Sequence, residues 1–473
     1  MRLFIQLAVI GLVLVNATTL SAAPPNIVFI LIDDMGWRDV GFAGNAFVET
    51  PHIDHIAREG IQFTQAYASA PNCAPTRACL MSGQYTPRHG VYTVIDPRHD
   101  PGQPHHKVIA AKSNEALSGD VVTIAEVLKQ RGYATACFGM WNIGFAEGSR
   151  PTERGFDEFF GCRSGNIHYF KHTYHGEYDI YRGTEEHRVE GYSTDLFADA
   201  ACDFIRRKAP EGPFFVYLPF NAPHYVSEVN LIPGEDEKPE WHVPGKYLER
   251  YGWPADDPTE KHRYLALLTA LDDGVGRVLD AIDEAGARDN TLVIYLSDMG
   301  AILRPTHGLG VASNLPFRDG APSMYEGGVR VPAIVRWPGR IEPGTVCGEM
   351  LSHLDLLPLC LAAAGLPLPE GRIIDGRDPL PALTGKAPSP HEFLTFHYGN
   401  AAGMRAGDWK VARSKADKPW ELYDLATDPG ETRDLAKENA AEVSRLDAIY
   451  RKWSEEVNAD ASEPAPRPVI NKK

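Results

Sequence analysis

At 473 residues, 43% hydrophobic and 23% charged, the chain is long enough for one large domain plus a smaller one and has the composition of a soluble globular protein. A net charge of -16 implies no surface for nucleic acid or for an anionic membrane. Seven cysteines, at 73, 79, 137, 162, 202, 347 and 360, are scattered rather than set at scaffold spacing, and their odd number leaves at least one unpaired.

In chain order, Arg2, the apolar run Leu3 to Val15 and the small residues Ser21-Ala22-Ala23 read as an export signal over residues 1–22. Cleavage after Ala22 keeps Pro24 away from the new terminus. The run is too short to span a bilayer and nothing later is longer, so no membrane span is expected and the mature chain is expected to be secreted or periplasmic. The one Asn-x-Ser/Thr sequon, Asn16-Ala17-Thr18, lies inside the signal, which favours a bacterial exported protein over a lysosomal glycoprotein. Asn26 to Ile32 is a near-continuous apolar run with β-branched residues, the pattern of a strand buried on both faces of a parallel sheet. It ends in Asp33-Asp34. Two adjacent carboxylates at the carboxyl end of a central strand need a cation to offset their repulsion, and a hard divalent metal suits them.

Thr50-Pro51 then predicts a capped helix with Ile53, Ile56 and Ala57 inward and Gly60 at its end. Thr123 to Glu126 is a capping box before a second helix, and a strand follows at Ala134 to Phe138. Phe214 to Leu218 and Thr291 to Leu296 read as further buried strands, flanking a long helix from Tyr264 to Ile282. Cys137 and Cys202 sit in such apolar contexts and read as buried thiols. Alternating strands and helices predict an α/β, doubly wound, mostly parallel sheet. Near residue 385 the pattern changes: Gly407 to Val411 and Trp420 to Leu425 suggest short antiparallel strands, Ala440 to Val457 a closing helix, and residues 461–473 a disordered tail.

Between these elements stands Cys73-Ala74-Pro75-Thr76-Arg77, followed by Ala78-Cys79-Leu80-Met81-Ser82-Gly83. With the Asp33-Asp34-Met35-Gly36-Trp37 opening, this C-x-P-x-R spacing resembles the sulfatases, of the alkaline phosphatase superfamily, over roughly residues 25 to 455. The resemblance implies a catalytic domain over 24–384 and a small antiparallel subdomain over 385–460, including its Asp428-Pro429-x-Glu431 turn. It implies that a formylglycine-generating enzyme converts Cys73 to formylglycine, whose hydrate attacks sulfur. It further implies calcium held by Asp33, Asp34, Asp298 and residue 73, with Arg77, His224 and Asp298 joining Cys73 in catalysis. The implied substrates are a sulfated carbohydrate or an aryl sulfate.

Four positions depart from the family pattern. Met140 and Ala321 stand where lysines are expected, Asn142 where a histidine is expected, and Met299 where an asparagine metal ligand is expected. A thioether is too soft to suit calcium. Arg304, His307 and Arg318, or His168, Lys171 and His172, are the charged residues that would replace the missing groups. Two readings follow: an exported sulfatase with altered sulfate contacts, or a catalytically impaired sulfatase-like binding protein. A phosphate- or phosphonate-ester hydrolase on the same scaffold is a third. Tyr225, Trp241, His242, His105 and His106, in long insertions, are candidates to line sugar subsites.

Overall fold

A computed structural model describes residues 23–94, 114–303 and 309–458 and two short strands at 108–109 and 463–464. The expected export signal, most of the tail, His105, His106, Arg304 and His307 lie outside the described residues. Ten strands form the main sheet: β1 (Asn26–Ile32), β2 (Ile61–Phe63), β3 (Ala134–Met140), β4 (Glu158–Cys162), β5 (Tyr181–Arg182), β6 (Glu185–Glu186), β7 (Phe214–Pro219), β8 (Thr291–Ser297), β9 (Ala333–Arg336) and β10 (Thr345–Cys347). Their spatial order is β6-β5-β4-β3-β7-β1-β8-β9-β2-β10. From β4 to β8 all neighbours run parallel, with Ile27 beside Phe215 on one side of β1 and Leu292 on the other. β9 runs antiparallel to both of its neighbours.

The unbroken apolar run of β1 has a direct cause in this layering. Val28, Ile30 and Ile32 face a core shared with helices α1 (Pro51–Glu59), α4 (Ser193–Lys208) and α5 (Glu260–Glu284). Ile27, Phe29 and Leu31 face a second core, shared with α2 (Cys73–Ser82) and α3 (Ile124–Gln130). A strand covered by helices on both faces has no polar side to show, so the α/β expectation holds.

Local chemistry sets the element ends. Thr123 and Glu126 close the predicted capping box on α3, with N–H to side-chain oxygen distances of 3.2 and 2.8 Å. Thr50 does not cap α1 as predicted: its hydroxyl accepts from the Gly41 N–H and donates to Asp54. The α1 amides of His52 and Ile53 are instead taken by Asp272 of α5, at 3.1 and 2.8 Å. Gly60 follows α1 in extended backbone, and the position takes glycine because a Cβ there would meet the Val335 carbonyl at 2.4 Å.

A second, four-stranded antiparallel sheet comprises β11 (Leu394–Tyr398), β12 (Ala401–Ala406), β13 (Trp409–Arg413) and β14 (Glu421–Asp424). The closing helix α6 (Ala440–Val457) packs Leu446, Tyr450, Trp453 and Val457 onto it, together with Cys79 and Tyr85 from the α2 region. Helix α2 is therefore wedged between the two sheets. All ten of its residues are buried, which fixes the residue at its first turn far more tightly than a surface helix would.

Candidate active site

The parallel strands β7, β1 and β8 end side by side, and their carboxyl ends carry the site, as open α/β sheets arrange their ligands. The Asp33 N–H donates to the Ala222 carbonyl beyond β7, and the Asp298 N–H to the Ile32 carbonyl of β1, at 3.2 and 2.9 Å. Asp33, Asp34, Asp298 and His224 are thus brought together from three strands. Asp34 takes a left-handed backbone, φ 61°, and its N–H donates to Asp298 Oδ1 at 3.1 Å.

Arg77, one turn into α2 and fully buried, joins these strand ends. Its Nη2 lies 3.1 Å from Asp33 Oδ1 and 3.0 Å from Asp298 Oδ2, and its Nη1 donates to the Met140 carbonyl at 2.7 Å. Three carboxylates cluster around one guanidinium that pairs with two of them, so the charge is unbalanced. Burial, with the neighbouring Asp34 charge and against the pull of Arg77, raises Asp33 to about 7. Burial and the Asp33 charge push Asp298 well above the usual carboxylate range. Asp33 Oδ2 is buried with no hydrogen-bond partner. A hard divalent cation fits this donor set, since it would take up the orphaned oxygen and offset the excess negative charge.

Cys73 is the first residue of α2. Ligand atoms of Asp33, Asp34 and Cys73 all lie within 4.8 Å of one another, and the Cys73 thiol is 4.0 Å from Asp34 Oδ1. Asp298 stands outside that trio: one oxygen takes the Asp34 amide and the other takes Arg77. Burial and then the three carboxylates raise the Cys73 thiol well above its ordinary value. A thiol held protonated is a weak nucleophile, so unmodified Cys73 suits attack poorly.

His224 faces this group from the loop after β7, with Nε2 3.4 Å from Asp34 Oδ2. Its Nδ1 lies 3.0 Å from Asn166 Nδ2 and 2.8 Å from the Tyr225 carbonyl. Beside it opens a cavity of about 160 Å³ lined by Asp34, His224, Tyr225, Trp241, Ala301 and Ile302 among others. Tyr225 and Trp241, two of the residues expected at a sugar subsite, meet edge to face at 5.2 Å there.

The substituted positions are buried as well. Met140, Met299 and Ala321 are at most 5% exposed, and Asn142, at φ 57°, is buried with Nδ2 unpartnered. Of the charged residues offered as replacements, those among the described residues are engaged elsewhere. Lys171 pairs with Glu235 and Glu237, His172 Nε2 lies 3.0 Å from the Gly191 carbonyl, and Arg318 donates to the Tyr423 hydroxyl at 2.7 Å. His168 Nδ1 accepts the N–H groups of Phe170 and Lys171 at 3.1 Å each, which leaves its proton on Nε2, 3.0 Å from Glu237 Oε1. With Arg263 on Glu240 at 2.7 Å, these contacts fasten the loop that carries Tyr225 and Trp241. His242, 5% exposed, lies in the same cluster, its ring 4.4 Å from that of His168, and is held near 4 chiefly by burial.

Sequence reasoning missed Asn166 and Asn230. Both are buried, and no motif marks them.

Residues 25–366 match the sulfatase family, and residues 321–456 match the family described as N-sulphoglucosamine sulphohydrolase, C-terminal. Mouse N-acetylgalactosamine-6-sulfatase is 32% identical over 453 residues, covering 91% of this chain and 79% of that protein. A sulfatase of Formosa agariphila is 29% identical over 513 residues, covering 92% and 89%. Among solved structures, Ps i-CgsB in complex with k-i-k-neocarrahexaose superposes with a TM-score of 0.77 at 29% identity, covering 91% of this chain and 93% of that one. The first match takes in both the helix that opens on Cys73 and the strand ends that carry the carboxylates, and it spans well over half the sequence, so the chain belongs to the sulfatase family of sulfuric ester hydrolases.

Proposed function

We propose that this hydrolase removes sulfate from a sulfated carbohydrate, using formylglycine made from Cys73 and one calcium ion. The observation that carries the reading is the placement of Cys73: the first residue of a buried helix, within 4.8 Å of Asp33 and Asp34, with Arg77 one turn on. The hydrated aldehyde would supply two hydroxyls on one carbon, one to attack sulfur and one to expel sulfate; a formylglycine-generating enzyme would produce it. Asp33, Asp34, Asp298 and the residue-73 oxygen would hold the cation, which would offset charge on the ester oxygens. Arg77 keeps Asp33 and Asp298 in place by charge-assisted hydrogen bonds. His224 Nε2, at the cavity wall, is placed to give a proton to the leaving alcohol. A carbohydrate substrate is supported by the relatives: one is named for N-acetylgalactosamine-6-sulfate, and Ps i-CgsB binds a neocarrahexaose. Residues 1–22 support export to the periplasm or medium.

The second reading, an impaired sulfatase-like binding protein, draws on Met140, Asn142, Ala321 and Met299. Each removed charge-stabilising group costs about a hundred- to a thousandfold in rate. One experiment separates the readings. The mature chain, coexpressed with a formylglycine-generating enzyme, is expected to carry an aldehyde at residue 73 by peptide mass spectrometry. It is expected to release sulfate from 4-nitrophenyl sulfate or from a panel of sulfated sugars, and Cys73→Ala to abolish release. Unmodified cysteine alone, or release that survives Cys73→Ala, would overturn the first reading; aldehyde without release would favour the second.

A further inference from the structure

One buried carboxylate ties together most of the cavity beside His224. Asp39, 1% exposed, accepts hydrogen bonds from three separate segments. Its Oδ2 takes the Gly36 N–H at 2.9 Å and the Tyr264 hydroxyl at 2.6 Å, and its Oδ1 takes the Ser313 N–H at 2.9 Å. All of these partners are neutral donors, so the carboxylate is buried at a cost in stability that an apolar side chain would avoid. Each donor leads to a wall of the cavity. Gly36 lies just beyond Asp34, the Tyr264 ring stands 4.6 Å from the ring of Trp241, and Ser313 is the neighbour of Ala312.

The segment that carries Ser313 is itself pinned to a further wall. The Ala301 N–H can only donate, which fixes the Asn314 side chain with Oδ1 toward it, at 3.0 Å. Asn314 Nδ2 then gives one hydrogen to the Ala301 carbonyl at 2.9 Å and the other to the Asp319 carbonyl at 3.0 Å. A turned-over amide would set its NH2 group against an N–H and its oxygen against two carbonyls. Asn314, 2% exposed, thus holds Ala301, just beyond Asp298, as a paired strand would. The Ala301 carbonyl also takes the Ala321 N–H at 3.2 Å. The packing leaves no slack: the Ser313 carbonyl accepts from the Arg38 N–H at 2.8 Å, and a Cβ on Gly36 would meet that carbonyl at 2.5 Å.

We propose that Asp39 and Asn314 are positioning residues: through Ser313 they hold Ala301, Ile302 and Ala312 at a set distance from Asp34 and Trp241, and so fix the width of the cavity that takes the leaving alcohol. Neither side chain lines the cavity, so each acts on substrate only through the walls it joins. The inference rests on the proposed sulfatase reading for the identity of what enters, and not for the clamp itself.

Hydrogen–deuterium exchange read by mass spectrometry, on matured, calcium-loaded protein at pH 8, tests the clamp without turnover. That pH lies above the value of about 7 to which burial raises Asp39, so the carboxylate is ionised. Asp39→Asn keeps the shape but has one acceptor oxygen in place of two, and cannot serve the Gly36 and Ser313 amides together. Asn314→Ala frees the Ala301 amide. Asp39→Asn is expected to exchange about tenfold faster in the peptides holding Gly36 or Ser313, and Asn314→Ala in the peptide holding Ala301, while peptides of β3 and of the second sheet keep wild-type rates. On 4-nitrophenyl sulfate both variants are expected to raise KM about threefold to tenfold with kcat nearly unchanged, because the walls bind ground and transition states alike. Inhibition by inorganic sulfate, which has no leaving group, is expected to stay within about twofold of wild type. Wild-type exchange rates in both variants would overturn the proposal, as would rates raised equally throughout the chain. So would a fall in kcat at constant KM, or sulfate inhibition weakened as much as KM is raised. Where Asp39→Asn does not fold, Asn314→Ala decides alone. The expected exchange in a protein that hydrolyses nothing would support the clamp and count against the sulfatase reading instead.

Discussion

Asn142 holds a left-handed backbone and a buried, unpartnered amide where the family pattern has an imidazole. An amide can donate to a sulfate oxygen but cannot exchange a proton at neutral pH, so it serves binding better than release. If His224 protonates the leaving alcohol while sulfate departs unaided, the first turnover should be faster than those that follow. Rapid-quench kinetics on an aryl sulfate should then show a burst of about one alcohol per active site before a slow phase. Asn142→His should speed the slow phase by at least about tenfold, and the left-handed backbone is one that His, like Asn, adopts with less penalty than most residues. Met140→Lys and Ala321→Lys should instead raise the burst rate, at some cost in stability because both positions are buried and the new charge lacks a fixed partner. Steady turnover with no burst, or a triple variant no faster than wild type, would show that other residues do this work. At this scale the sequence was legible where chemistry is written in short runs at strand and helix ends: Asp33-Asp34, Cys73 to Arg77, Asp298. Asn166 could not be read, because its partners lie 58 and 64 residues away and only the fold brings them together.

Among the elements, two short segments about a hundred residues apart meet. Glu326, from Tyr325-Glu326-Gly327-Gly328, and Glu431, from the Asp428-Pro429-x-Glu431 turn, flank Lys410 on β13, whose Nζ lies 2.8 and 3.0 Å from them. All three side chains are buried. Burial opposes ionisation of Glu326, but Lys410 and Arg330 hold it below the usual range, while burial and the Glu326 charge push Glu431 up. This cluster clamps the second sheet onto the turn that follows the Ala321 loop. Removing the lysine leaves Glu431 without its cation and Glu326 with Arg330, so Lys410→Met should cost about 3–5 kcal/mol in urea unfolding. Lys410→Met with Glu431→Gln should recover part of that, since one stranded charge is gone. A loss under about 1 kcal/mol for Lys410→Met would mean that water or Arg330 satisfies the carboxylates instead. Hydrophobic period placed β13, β14 and α6 to within a few residues and missed β11 and β12, and it could not show that a lysine inside a predicted strand is buried. Thr50 failed as a cap for the related reason that a competing acceptor, Asp272, arrives from a helix distant in sequence.

The whole molecule combines an acidic surface charge with a core that closes on several histidines. His89 and His353, each 2% exposed, are held near 3, chiefly by burial. The unfolded chain takes up protons at such residues below about 6.5, while the fold refuses them until near their lowered values. Their contribution to stability is therefore complete above about 6.5 and falls with pH, by about 1.4 kcal/mol per unit for each, until the folded value is reached. Asp39 and Asp272, which burial raises to about 7, act in the opposite sense by favouring the fold as they protonate. The net slope is thus a balance, and only a difference between two proteins isolates one group. His353→Met removes a single histidine and keeps an apolar side chain of similar reach in its place. Between pH 7 and pH 5 the wild type should lose about 2 kcal/mol more unfolding free energy than His353→Met, measured by urea titration at both values. Equal losses would mean that His353 is already protonated in the folded chain, and that its pocket holds a counter-charge or water which the packing around it does not show.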